Sequence, residues 1–399
     1  MADDAQHPEK GVPLHGRSLL ADVSLPAAVV FERALAHNIA WMQRFADDHG
    51  AKLAPHGKTT MTPALFGRQL KAGAWGITLA TAVQCAAAFE HGASRLFMAN
   101  QLVGTPNMAI VAGLIERGAD YYCLVDSVAN AEALDEYFGG RGLVLQVLVE
   151  LGVPGGRCGV RSGSALDELV HAIDAAPGLA LCGVEGYEGL IGGDQAVDAI
   201  RAYAQRLVDA VRTLRANGSF GDRTPIVTAA GSQWFDLIAE AFDQADLRGR
   251  CFAVLRPGCY VVHDHRSYRD AMAAVKKRQP DLEGQLEPAL AVFAHVQSLP
   301  EAGLAVVAMG KRDISCDPDL PMPLQLHRPG QPARPLPGCR VRKVMDQHTM
   351  LAIAQHTDIR LGDIVSFGAS HPCLTFDKWR QVLLVDEDLQ VLEAMPTFF

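Results

Sequence analysis

No apolar run in this sequence reaches the roughly 18–20 residues that a membrane-spanning helix needs. The opening stretch MADDAQHPEKGVPLHG is polar and lacks the apolar segment of a signal peptide. Positive charge is also short: 36 Lys+Arg stand against 45 Asp+Glu in 399 residues, a formal charge of −9, with no Lys/Arg-rich run. Such a chain has no electrostatic footprint for DNA or RNA, so neither a nucleic-acid nor a membrane partner is expected. The nine cysteines are odd in number and follow no framework spacing. Reduced thiols in a cytoplasm fit that pattern better than disulfides, most of them acting as small core residues. No GxGxxG follows the first strand-like run, and no repeat of solenoid period occurs.

What is present is ordinary for a globular enzyme: 49% apolar and 20% charged residues, and length enough for two or three domains. Eight near-continuous apolar runs read as strands, at 51–58, 76–81, 95–100, 121–126, 143–151, 180–187, 225–230 and 251–256. Continuous rather than alternating runs belong to a parallel sheet covered on both faces. Helical patterns lie between them, such as those following Thr81 and Asp194. Pro63 and Pro106 fall at first helical turns, and Gly92 and Gly218 at helix stops. Eight such units predict a (β/α)8 barrel, with a doubly wound open sheet as the competing fold. From about residue 265 the helical rhythm gives way to short strand-like runs and a Pro/Gly-rich stretch, which predicts a mostly antiparallel β domain. The expected division is a barrel over 26–262, with 1–25 and 263–399 in the β domain.

Barrels of this kind carry their reactive groups at the C-terminal ends of the strands. Here those ends read His56-Gly57-Lys58, Thr81, Asn100, Asp126, Glu150 through Arg157, Tyr187, Gly231-Ser232 and Arg256-Pro257-Gly258-Cys259-Tyr260. A purely structural barrel has no need of so polar a rim. Lys58 has two readings: a stem that snorkels to solvent, or a desolvated amine ready to form a Schiff base. A pyridoxal phosphate Schiff base also needs a phosphate cradle and an aromatic contact. Gly231-Ser232 and the tyrosines Tyr187 and Tyr260 supply groups of those types.

The run Pro55-His56-Gly57-Lys58-Thr59 resembles the PHxKT segment of the D-threonine aldolase/D-serine dehydratase family, pyridoxal-phosphate enzymes of the alanine-racemase fold type. Further segments resemble that family in the same order: Gly155 to Val160, Gly183 to Gly189, Leu255 to Tyr260, and His371-Pro372-Cys373 as its HxC metal motif. The resemblance spans roughly residues 26–380. It implies that Lys58 is the catalytic lysine carrying the cofactor, with His56, Arg157, Tyr187 and Tyr260 around it and Gly231 and Ser232 at the phosphate. It also implies a homodimer and a metal site on the β domain.

On a strand, residues i and i+2 point the same way, so His371 and Cys373 can meet at one ion. Without the resemblance, a core cysteine beside a loop histidine is the plainer reading. With it, two ligands suit an open site, and the thiolate favours zinc over the manganese or magnesium that an HxD pair would take. His263-Asp264-His265 reads as a solvated turn, and His348 is not expected to be a ligand. Thr60, Leu190 and Met309 stand where the family usually has His, His and Asp, all bordering the substrate side. The expected activity is therefore pyridoxal-phosphate-dependent, metal-assisted dehydration and deamination of a D-serine-like β-hydroxy amino acid to a 2-oxo acid and ammonia. Retro-aldol cleavage to glycine and an aldehyde, and a non-catalytic cofactor-binding protein, are the alternatives.

Overall fold

A computed structural model describes Lys10, Gly11 and residues 17–399. Much of the polar start, residues 1–9 and 12–16, lies outside the described residues. Two compact units account for the chain: Ala40–Lys58 with Leu65–Gly258, and the described residues up to Ile39 with Thr59–Ala64 and Cys259–Phe399.

The first unit is built on eight parallel strands in the order Lys52–Leu53, Phe252–Leu255, Ile226–Ala229, Leu179–Glu185, Leu145–Glu150, Asp120–Val125, Arg95–Gln101 and Ile77–Leu79. A parallel bridge between His56 and Thr78, with the Thr78 N–H donating to the Pro55 carbonyl at 2.8 Å, joins the two ends and closes the barrel. All eight expected runs are strands, each within a few residues of its predicted limits except the first. There the run expected over 51–58 is a strand only at Lys52–Leu53, because Pro55 has no N–H to give to a ladder. The barrel interior is filled by Ala54, Phe97, Tyr122, Leu124, Leu148, Ala180, Ile226 and Val254, a packed core and not a pore.

Helices follow the strands. In Ala196–Ala216 the residues Ile200, Tyr203, Ala204, Leu207, Val208, Val211 and Leu214 recur at three- and four-residue spacing and form its buried stripe. Helices begin at Pro63 and at Thr105 just before Pro106, where a missing N–H costs nothing. Gly92 and Gly218, with φ of 95° and 77°, stop two others. Among the described residues no helix is long and apolar enough to cross a membrane.

The second unit carries a ten-stranded, mostly antiparallel sheet. Its strand Ala27–Phe31 lies between Leu290–Glu301, antiparallel, and Gln381–Val385, parallel. Ala27 faces Phe293 and Val29 faces both Ala291 and Leu383, so one apolar row is shared by three strands. Leu19, Phe293, Ile364, Leu383 and Val385 close the core beneath it.

Two expectations need correction here. The helical rhythm does not end at 265: Ser267–Arg278 is an α-helix with Met272 and Val275 buried. Nor is His263-Asp264-His265 a solvated turn, since His263 and Asp264 are each 2% exposed. The reason is local: Asp264 Oδ1 accepts the N–H groups of Arg266 and Tyr268 at 2.8 and 2.9 Å, satisfying donors that the helix leaves orphaned at its start.

Candidate active site and metal centre

Lys58 is exposed in a single 3-10 turn, Gly57–Thr59, and not on a strand as its sequence context predicts. Gly57 permits that turn, because a Cβ there would come within 2.8 Å of the Phe66 ring. The neighbouring His56 has a buried Nδ1 with no hydrogen-bond partner. Burial holds its imidazole well below the usual range, and the positive charges of Lys58, Arg256 and Arg157 add to the effect. His56 is therefore neutral near pH 7.

Arg157 and Tyr187, predicted from separate segments, meet: the guanidinium carbon lies 4.2 Å from the ring centroid. The turn that presents Arg157 is shaped by Arg161, which donates to the carbonyls of Gly156 and Arg157 at 3.1 Å and of Gly159 at 2.6 Å. Asp126 Oδ2 takes the Gly159 N–H at 2.9 Å.

Gly231 and Ser232 follow Ala230, whose φ of 82° lies in the left-handed region where a Cβ is strained. Glu188 stabilises this turn. Its carboxylate accepts the Ala230 N–H at 3.2 Å and the Gly231 N–H at 2.6 Å, so the Gly231 donor is already engaged. The Ser232 hydroxyl accepts the Gly258 N–H at 3.2 Å.

The sequence assigned no role to three charged residues of this unit: Arg256, Glu185 and Glu188. Arg256 is buried and donates to the Glu185 carboxylate, to Thr228 Oγ1 at 2.8 Å and to the Gly186 carbonyl at 3.2 Å. Burial drives the Glu185 carboxyl up to about 7 although Arg256 pulls it down. Burial likewise raises Glu188, against the N–H groups that it accepts. The signal available was charge inside apolar strand ends, where a buried carboxylate needs a partner.

In the second unit, Cys259, His371 and Cys373 bring one imidazole nitrogen and two sulfurs within 4.8 Å of one another. The sulfurs are 3.5 Å apart, and the Thr59 hydroxyl lies 3.5 Å from Cys373 and 3.8 Å from Cys259. His371 and Cys373 converge, but not through strand pleating. The strand ends at Gly368, Pro372 intervenes, and Cys373 opens a short helical turn. Cys259 lies in the 3-10 turn Cys259–Val261 with Tyr260, which is also buried. Hydrogen bonding from Cys259 outweighs burial and holds the Cys373 thiol well below its usual range, with His371 adding to it. For His371, burial lowers and the Cys373 contact raises, with a net upward shift. His348 is exposed in the turn before Thr349–Ala352, outside this group. Cys259 was overlooked because it stands amid apolar neighbours like a core thiol.

A (β/α)8 barrel with an antiparallel β unit is an alanine-racemase-like fold. Residues 31–264 match the family described as "Alanine racemase, N-terminal domain", and residues 289–385 the "Putative serine dehydratase domain". The chain belongs to this alanine-racemase-like family, in its D-serine dehydratase/D-threonine aldolase branch. The relatives it matches are dehydratases and aldolases of D-amino acids, which supports an enzyme. The chain is 28% identical to the D-threo-3-hydroxyaspartate dehydratase of Delftia sp. (strain HT23), covering 94% of this chain and 98% of that protein. It is 30% identical to the D-threonine aldolase of Arthrobacter sp over 43% of this chain, a match spanning 45% of that protein. Among solved structures, the D-threonine aldolase from Filomicrobium marinum superposes with a TM-score of 0.80 at 25% identity, over 97% of this chain and 98% of that one.

Proposed function

We propose that the protein is a pyridoxal-phosphate-dependent, metal-assisted dehydratase of a D-β-hydroxy amino acid, converting it to a 2-oxo acid and ammonia. The observation that carries this reading is the convergence of the His371 and Cys373 donor atoms, which lie within 4.8 Å of each other in one compact unit. The donor set fits one divalent ion: thiolate and imidazole donors within 4.8 Å of one another match a soft, open site. The exposed Lys58 amine, the Arg157–Tyr187 stack and the orphaned His56 Nδ1 suit a planar, polar cofactor.

When bound, pyridoxal phosphate supplies an electron sink for the α-carbon, and the metal supplies Lewis acidity toward the β-hydroxyl oxygen. The chain's own residues do the rest. Lys58 Nζ would hold the cofactor, and the same nitrogen would accept the α-proton. Arg157 and Tyr187 orient the ring. Ser232 and the bare Cα of Gly231 form the phosphate side, with Tyr260 and His56 as further contacts. His56, held neutral, adds no second cation beside Lys58. His371 and Cys373 hold the metal.

The thiolate in the pair, and the full-length likeness to a dehydratase, support elimination over aldol cleavage. The likeness to the Filomicrobium aldolase supports the second reading, cleavage to glycine and an aldehyde. Assaying the purified, cofactor-loaded protein on D-serine, D-threonine and D-threo-3-hydroxyaspartate, scoring ammonia and aldehyde separately, decides between them. Ammonia with a 2-oxo acid is expected. Aldehyde with glycine and no ammonia would replace this reading by the second, and neither product from any of the three would end both. We also propose a cytoplasmic homodimer.

A further inference from the structure

We propose that Cys259 is a third protein ligand of the metal, so that the ion is held by two thiolates and one imidazole and the site selects zinc over magnesium and manganese. This rests on the proposed metal at His371 and Cys373, and extends it to a residue that the HxC motif does not contain.

The geometry carries the inference. Zinc–sulfur bonds of about 2.3 Å in tetrahedral array set two sulfurs roughly 3.8 Å apart. Those of Cys259 and Cys373 stand at 3.5 Å, close to that edge and far beyond the ~2.05 Å of a disulfide. The imidazole of His371 completes the face, with all three donor atoms within 4.8 Å. All three belong to the same compact unit. Cys259 is only 4% exposed, so its sulfur is held in place by packing and the ion would meet a preformed donor. The Thr59 hydroxyl lies 3.8 Å from the Cys259 sulfur, to which it can donate and which it can orient from outside the coordination sphere.

The chemistry follows from the donors. Two thiolates neutralise a divalent ion and add soft character that oxygen-seeking magnesium and manganese do not reward. Three protein ligands leave a fourth tetrahedral position for water or a substrate oxygen, the pattern of a catalytic rather than a structural zinc site. With only His371 and Cys373, two positions would stand open and the selectivity for zinc would be weaker.

The test uses cobalt as a spectroscopic zinc substitute. Full-length protein is kept reduced, stripped with a chelator and titrated with Co(II) and with Zn(II) against a chromophoric competitor. The same is done for Cys259→Ser, which preserves size, for Cys259→Ala, and for Cys373→Ala. Circular dichroism checks that each variant is folded. The inference expects the sulfur-to-cobalt charge-transfer band of both Cys259 variants to fall to about half, since one of two thiolates is lost. It also expects zinc affinity to drop at least tenfold and the preference for zinc over manganese to narrow. A Cys259→Ser protein with unchanged band intensity and zinc affinity would overturn the third ligand while leaving the His371–Cys373 site intact. Wild-type protein that takes up neither ion would overturn the metal reading itself, and this inference with it.

Discussion

Arg256 and Glu185 are buried against each other at the ends of two barrel strands that flank a third, Ile226–Ala229, yet only one carboxylate oxygen is satisfied. The guanidinium donates to Glu185 Oε1, while the buried Oε2 has no partner. Burial therefore keeps the Glu185 carboxyl near 7, against a reference of 4.5. Because the folded-state value is the higher one, the folded protein holds a proton that the unfolded chain releases between these limits. Stability from this group is complete below about pH 4.5 and is lost as pH rises through about 7, by up to ~1.4 kcal/mol per pH unit. Urea unfolding of wild type and Glu185→Gln across pH 4.5 to 7.5 checks this. The variant should show the flatter dependence, and parallel curves would contradict the assignment.

Lys58 is the residue on which the cofactor assignment stands. Borohydride reduction of the pyridoxal-phosphate-loaded protein should attach the pyridoxyl group to the peptide containing Lys58, as read by mass spectrometry. Lys58→Ala should lose that label and at least about 10²–10⁴-fold of its ammonia release, the usual contribution of a positioned base. A label on another lysine refutes the role.

Cys373 separates the two chemistries. Cys373→Ala or a chelator should abolish ammonia release, while the borohydride label at Lys58 persists. Cys373→Asp should restore metal uptake with a shift toward manganese or magnesium, the ions that prefer a carboxylate oxygen. Metal-dependent activity is measured for each ion in turn, and full dehydratase activity of Cys373→Ala in metal-free buffer would remove the metal from the reaction.

The homodimer proposal is read by sedimentation velocity at assay concentration. A dimer is expected, with an interface of the obligate size class. A fully active monomer would count against it.

Glu188 is expected to act on the turn that it caps. Glu188→Ala leaves the buried Ala230 N–H and the half-buried Gly231 N–H without an acceptor, a cost of about 1–3 kcal/mol for a buried unsatisfied group. Thermal unfolding reads it. A variant as stable as wild type would mean that water replaces the carboxylate.

Much of the fold was legible in the chain. Parallel strands buried on both faces leave continuous apolar runs, and eight of them separated by helical periods identify a barrel. The polar strand ends were expected at one rim, and the ordered segments around Lys58, Arg157, Tyr187, Tyr260 and His371 carried the family resemblance. The helix Ser267–Arg278 was not legible, because only Met272 and Val275 are buried along it, and Asp264, which accepts N–H groups at its start, reads as part of a histidine cluster.

The sequence by itself determined what is local: the order of strands and helices along the barrel, the helix starts at Pro63 and Thr105, and the helix stops at Gly92 and Gly218. Tertiary structure alone decided the contacts between residues far apart in the chain. Periodicity cannot tell that the sulfur of Cys259 meets that of Cys373, that Arg256 shares its burial with Glu185, or that Glu188 takes the Gly231 N–H. Each of these residues looks from its neighbours like core or surface. Its role follows from which partner the closing of a sheet or a turn brings within hydrogen-bonding or coordination distance, and that is a property of packing.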